Sequence, residues 1–192
     1  MSAEVSFKLT FVAAFVAAAW AATAAARRAA SAHGAPVNQL AHEVRALIVV
    51  RAALGLTFYA ALAGWLFDLA WFGWARFELA TSLRVAGAGL LLVAVVALCL
   101  SLRALGTNYR GGVGLYPNHQ LVTTGPYRWV RHPMYASFVS IMLGLALMSR
   151  SWLLGLSGGL LVTSIAIIRM PIEERELRER FGTQWDEYRD RT

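Results

Sequence analysis

Two stretches of this 192-residue chain gather the groups that could do chemistry. The first is Gly125-Pro126-Tyr127-Arg128-Trp129-Val130-Arg131-His132-Pro133-Met134-Tyr135. It closes a segment from Arg103 to Pro133 that is rich in glycine and cations and holds no acid. Gly106, Gly111, Gly112, Gly114 and Gly125 allow turns and close backbone approach, and Pro117 and Pro126 fix the chain between them. Pro133 suits the first turn of a helix, where its missing N–H costs nothing. Such a helix would leave Arg131 and His132 at its positive end, a seat for a carboxylate. The second stretch starts at Arg169 and carries Glu173 and Glu174; seven of the eleven acids in the chain lie between Glu173 and Asp190. Arg169 and Glu173 are four apart, so an unbroken helix puts both on one face, although Pro171 between them is expected to kink or restart it. Each feature also has a plainer reading: interface cations and aromatics, an Arg that snorkels, and a surface helix laced with Arg–Glu pairs.

The elements that must position these groups are membrane spans. Of the residues, 58% are hydrophobic and 15% charged, against roughly 45–50% and about 25% in soluble domains. The net charge of +7 comes from 17 Arg and a single Lys scattered between apolar blocks, which argues against a nucleic-acid-binding stripe. Phe7 to Ala26, Ala46 to Phe67 and Leu83 to Leu102 each suffice to cross a bilayer as a helix. Met134 to Ile168 is too long for one span, and Ser149-Arg150-Ser151 divides it into a tight hairpin. The expected fold is therefore all-α: one polytopic bundle of about five transmembrane helices over residues 1–192. The three N-terminal spans fill 1–102, and the polar loop, the hairpin and an amphipathic tail fill 103–192. In that tail Leu177, Phe181, Trp185 and Tyr188 form an apolar stripe.

Thirteen of the cations fall on the side of the loops after spans one and three and of the tail, and four on the other. This bias puts the N-terminus outside and the loop and tail in the cytoplasm. It also marks the first segment as a retained span and not a signal peptide, since Lys8 precedes it while Arg27 and Arg28 follow. The Ala-rich first span is expected to pack closely through small residues. Trp65, Trp71, Phe72 and Trp74 suit the outer interface, and Arg51, in span two, is read as snorkelling. His33 and His42 show no metal-ligand spacing, and the single Cys99 allows neither an intrachain disulfide nor a cysteine-rich metal site; no metal is expected.

His119-Gln120-Leu121-Val122-Thr123-Thr124-Gly125-Pro126-Tyr127, then Arg131-His132-Pro133-Met134-Tyr135, then Glu173-Glu174 and Phe181-Gly182 up to Tyr188 resemble the isoprenylcysteine carboxyl methyltransferase family. Phospholipid N-methyltransferases are its more distant relatives. The resemblance covers about residues 105 to 190 and implies an integral membrane enzyme that transfers a methyl group from S-adenosyl-L-methionine. It implies that His119, Gln120, Leu121 and Val122 lie along the adenosine and that Gly125 also belongs to the cofactor site. Tyr127, Arg131, His132, Pro133 and Tyr135 would approach the methionine part, and Glu173 and Glu174 would complete the pocket. Arg169, in the family's R-x-x-x-E-E arrangement, would position a lipophilic or lipid-linked acceptor, and Glu173 would serve as base for an amine. A carboxylate acceptor needs no base. A phospholipid amine N-methyltransferase is the nearest alternative. An NADPH-dependent sterol-type membrane reductase and a non-catalytic membrane partner are the readings from other classes. The acceptor and the oligomeric state stay open.

Overall fold

The computed structural model describes residues 2–33, 45–110 and 115–192. His42, Gly111, Gly112, Gly114 and the Arg45 side chain lie outside the described residues. The long helices are α1 (Ala3–His33), α2 (Arg45–Leu66), α3 (Thr81–Leu105), α4 (Pro133–Ser149) and α5 (Trp152–Phe181), followed by the short α6 (Thr183–Arg191). Short 3-10 turns occupy Ala70–Ala75, Gly106–Asn108 and Gly125–Arg128. Four of the helices, α1, α2, α3 and α5, are long and apolar enough to cross a membrane, which makes this an integral membrane protein. The fifth, α4, has 17 residues and reaches about 25 Å. It forms the expected hairpin with α5: Arg150 adopts the left-handed conformation (φ 57°) and Ser151 caps α5 by accepting from Leu154 N at 3.2 Å.

Successive helices alternate in direction. One end of the bundle gathers the start of α1, the end of α2, the start of α3 and the α4–α5 turn; the other carries the polar loop and the tail. At the first end Glu4 joins three helices. Its carboxylate accepts from Arg84 Nη2 at 2.6 Å and from Trp65 Nε1 at 3.1 Å, while Arg84 Nε donates to the Met148 carbonyl at 3.0 Å. Lys8 and Arg76 both reach Asp68, at 2.5 and 3.3 Å. Trp65 and Phe72 are fully buried in the core beside Phe11, Leu91 and Met148, so these two are core residues and not interface anchors. Only Trp71 and Trp74 of that group are exposed. Both rings sit in a core shared by α1, α3, α4 and α5, which burial rewards more than an interface seat would.

Small residues set the closest helix crossing. A Cβ on Gly87 of α3 would meet Leu147 Cβ at 2.6 Å, and one on Gly144 of α4 would meet the Gly87 carbonyl and Leu91 N at 2.8 Å. Because backbone cannot swing away as a side chain can, Gly144→Ala should destabilise by about 2 kcal/mol. Gly89→Ala, where nothing lies within 4 Å, should be neutral. Equal melting temperatures of the two variants in detergent would contradict this. Farther along, Ala25 of α1 packs on Leu98 and Leu102 of α3, in line with the small-residue contact expected of the first span. Arg51 does not snorkel: its Nη2 donates to the Ser164 carbonyl of α5 at 2.9 Å, because α2 lies against α5 at that depth. Nor does Pro171 interrupt α5, which runs unbroken from Trp152 to Phe181 with the proline on its exposed side. The helix ends instead at Gly182 (φ 53°), whose N–H donates to the Arg178 carbonyl at 2.9 Å.

Candidate active site

At the loop-and-tail end the helices enclose a cavity of about 440 Å³. Its walls come from the end of α3, residues 108–110 and 115–127, the first turns of α4 and one face of α5. Along α5 the lining residues Leu161, Ile165, Arg169, Glu173 and Glu176 recur every three or four positions, a single helical stripe. The cavity is therefore graded. Leu161, Val162 and Ile165, with Met134 and Phe138 of α4, make an apolar half at the depth of the membrane-crossing segment; Arg169, Glu173 and Glu176 make a polar half beyond it. Arg169 stands at the boundary.

The polar half is organised by the start of α4. Pro133 occupies the first helical turn and His132 the N-cap position, so the free N–H groups of the helix and the Arg131 side chain present positive potential together. The acids of α5 answer it. Arg131 Nε donates to Glu174 Oε1 at 3.1 Å, and His132 Nε2 lies 2.9 Å from the same oxygen. His132 Nδ1 is 3.7 Å from Glu173 Oε2, and the Tyr135 hydroxyl donates to Glu173 Oε1 at 2.8 Å. The charge of Arg169 also acts on the Tyr135 hydroxyl. The unbroken α5 is what makes this possible, since a restart at Pro171 would turn Glu173 away from Arg169.

The tail closes over the loop. Tyr188 of α6 is buried and donates through its hydroxyl to the Tyr127 carbonyl at 2.7 Å, and Arg131 reaches the Arg189 carbonyl at 3.4 Å. Arg180 donates to the Pro117 carbonyl, and the Phe181 ring lies 6.4 Å from that of His119. His33, at the end of α1, stacks on Tyr116 at 4.2 Å between ring centres. Burial, reinforced by the nearby Arg180, His33 and Arg110, pushes His119 down to about 4, so its imidazole is neutral at pH 7. Its Nδ1 is buried without a hydrogen-bond partner among the described residues. The Tyr127 hydroxyl is held neutral by burial first and by Glu173 second.

Of the residues singled out in the sequence, His119, Tyr127, His132, Tyr135, Arg169 and Glu173 line the cavity. Arg131 and Glu174 stand behind them as the pair that holds His132. Pro133 is buried at the start of α4, and Gln120, Leu121, Val122 and Gly125 shape the loop without lining the cavity. Gln120 N donates to Asn108 Oδ1 at 3.0 Å, and Gly125 takes a positive φ of 62° against Ala104. Sequence reasoning missed Asn108, Tyr109, Arg110 and Glu176. Extending the stripe from Arg169 and Glu173 by one turn would have found Glu176; nothing in the local sequence marks Tyr109.

The family model for phospholipid methyltransferase matches residues 83–184, more than half of the chain and every wall of the cavity. Human protein-S-isoprenylcysteine O-methyltransferase is 34% identical over 138 residues, which cover 69% of this chain and 48% of that protein. Protein-S-isoprenylcysteine O-methyltransferase B of Arabidopsis thaliana is 34% identical over 74 residues, covering 38% of each chain. A probable protein-S-isoprenylcysteine O-methyltransferase of Oryza sativa subsp. indica is 36% identical over 70 residues, covering 36% of this chain and 37% of the relative. The chain thus spans about half, or less, of the length of the curated relatives it matches. With the cavity built from residues inside the matched region, the chain belongs to the phospholipid methyltransferase family.

Proposed function

We propose that this protein is an integral membrane methyltransferase that takes its methyl group from S-adenosyl-L-methionine and delivers it to a lipophilic acceptor, a carboxylate in the first instance. The observation that carries this reading is the graded cavity. Its polar half sits between opposed cations and acids, its apolar half lies at membrane depth, and Arg169 divides them.

The residues present fit the cofactor. It is a zwitterion with an added sulfonium. The positive end of α4 with His132, backed by Arg131, suits its carboxylate; Glu173, and Glu174 behind it, suit its ammonium. The unpartnered, neutral Nδ1 of His119 offers a buried polar contact to the adenosine side, and Tyr127 and Tyr135 present neutral rings to a cationic sulfur. When bound, this cofactor supplies an activated methyl group to a nucleophilic oxygen or nitrogen. What the chain does is hold and exclude. Tyr188 and Arg180 fasten α6 and the end of α5 over the loop, shutting water out of the polar half. Arg169 fixes the head of an acceptor that reaches it through the apolar half, so that position and desolvation supply the acceleration. A carboxylate held there is already a nucleophile; an amine would first give its proton to Glu173. With the positive-inside bias, the polar half faces the cytoplasm and the N-terminus lies outside.

The test is calorimetric titration of detergent-purified protein with S-adenosyl-L-methionine and, separately, NADPH. Binding of the first alone is expected. Binding of NADPH alone would replace this reading with the reductase one, and binding of neither by folded protein would leave a non-catalytic partner. Arg131→Ala should weaken cofactor binding about tenfold, the scale of one charge-assisted hydrogen bond, because it loosens the pair that holds His132 in place. Unchanged affinity would remove the assignment of the α4 end to the cofactor carboxylate.

A further inference from the structure

Tyr109 follows the short turn at the end of α3 and is not part of any motif in the chain. It lines the cavity. Its ring packs with Ala25 of α1 and with Leu98 and Leu102 of α3 in an apolar cluster that also takes in Met134 and Phe138 of α4. The two α4 residues line the apolar half, so the Tyr109 ring belongs to the wall that an acceptor chain would run along. The hydroxyl has a different neighbour: the charge of Arg169 acts on it. Among the described residues it makes no hydrogen bond. A hydroxyl held at the boundary of an apolar space, beside a guanidinium and with no protein acceptor, is a donor waiting for a ligand oxygen.

We infer that Tyr109 is the second donor to the acceptor's anionic head and works with Arg169 to select a carboxylate over a neutral or cationic group. This rests on the methyltransferase reading above and specifies its acceptor side. Burial keeps the phenol protonated, so it donates and does not compete as an anion. One phenol and one guanidinium offer donors from two walls, the α3 end and α5, which matches two carboxylate oxygens; the guanidinium has no acceptor and its charge repels an ammonium. An ammonium head would bring a like charge beside Arg169 and offer the phenol no lone pair to donate to, a cost of the kind that produces strong discrimination.

Tyr109→Phe keeps the ring in its cluster and removes only the hydroxyl. The experiment compares wild type and variant for binding of S-adenosylhomocysteine, of an S-prenyl thioether carboxylate, and of the same compound as its carboxamide. The variant should bind S-adenosylhomocysteine as wild type does and the carboxylate about tenfold more weakly, so that preference for carboxylate over carboxamide falls by about the same factor. In turnover, KM for the carboxylate should rise more than kcat falls. An unchanged carboxylate-to-carboxamide ratio overturns the role of Tyr109, as does an equal loss of S-adenosylhomocysteine affinity. Failure of wild type to bind S-adenosylhomocysteine would instead strike the methyltransferase reading itself, and that outcome is read from the same titrations.

Discussion

Replacing Arg169 with alanine should lower methyl-transfer turnover about a hundredfold, the scale of a misplaced reactant, while S-adenosylhomocysteine binds nearly as before. The split follows from where Arg169 stands. It lines the cavity at the junction of the apolar and polar stretches of α5, one turn before Glu173, with its charge acting on Tyr135. The groups assigned to the cofactor carboxylate, Arg131 and His132, lie on the other side of Glu173 and keep their own partner in Glu174. On the proposed reading, removing Arg169 takes away the hold on the acceptor head and leaves the cofactor side paired. Arg169→Lys should recover part of the loss, because the charge returns without the planar fork that can meet two oxygens at once. Single-turnover rates at saturating acceptor, with S-adenosylhomocysteine affinity measured on the same preparations, decide it. A rate within twofold of wild type, or a joint collapse of rate and cofactor-product affinity, would end the acceptor role.

How far the sequence discloses this site depends on which force places each residue. His132, Tyr135, Arg169 and Glu173 could be read ahead because charge, a helix-start proline and a four-residue spacing leave few other arrangements. The spans were legible for the same kind of reason, since hydrocarbon tolerates few alternatives to long apolar helices. What stayed hidden depends on contacts between distant segments. Trp65 and Phe72 look like interface aromatics until the core cluster they share with Phe11 of α1, Leu91 of α3 and Met148 of α4 buries both. Arg51 looks like a snorkelling charge until α2 is laid against α5 and the Ser164 carbonyl comes within 2.9 Å. Pro171 reads as a break, yet on the exposed side of a helix held by the cavity wall it costs a hydrogen bond without a turn. Tyr109 carries no local signal at all, since only the approach of α1, α3 and α4 to one another turns an ordinary loop tyrosine into a cavity wall.

The end of the bundle away from the cavity should govern stability, and Arg84→Met should destabilise the protein by about 3 kcal/mol, the lower end of the cost of breaking a buried ion pair. Arg84 is 7% exposed and half-encloses its charge between Glu4, 2.6 Å away, and the ring of Phe7, 4.3 Å from the guanidinium carbon. Its Nε also supplies the Met148 carbonyl just before the α4–α5 turn. Methionine fills much of the volume but, among the described residues, leaves the Glu4 carboxylate with Trp65 as its hydrogen-bond donor and Arg150 as a nearby charge, and the Met148 carbonyl without this donor. The lower end applies because Glu4 is 30% exposed on its side chain and keeps some solvent access. Glu4→Gln combined with Arg84→Met removes the stranded charge and should recover more than half of the loss, a coupling expected of groups that act as one network. Because this network is a bundle length away from Arg169, Arg84→Met should leave acceptor KM and cofactor affinity unchanged in protein that is still folded. Unfolding in mixed micelles reads the first quantity and titration the second. A double variant no more stable than Arg84→Met would mean that the loss arises from packing around Phe7 and Met148 and not from the charge left on Glu4.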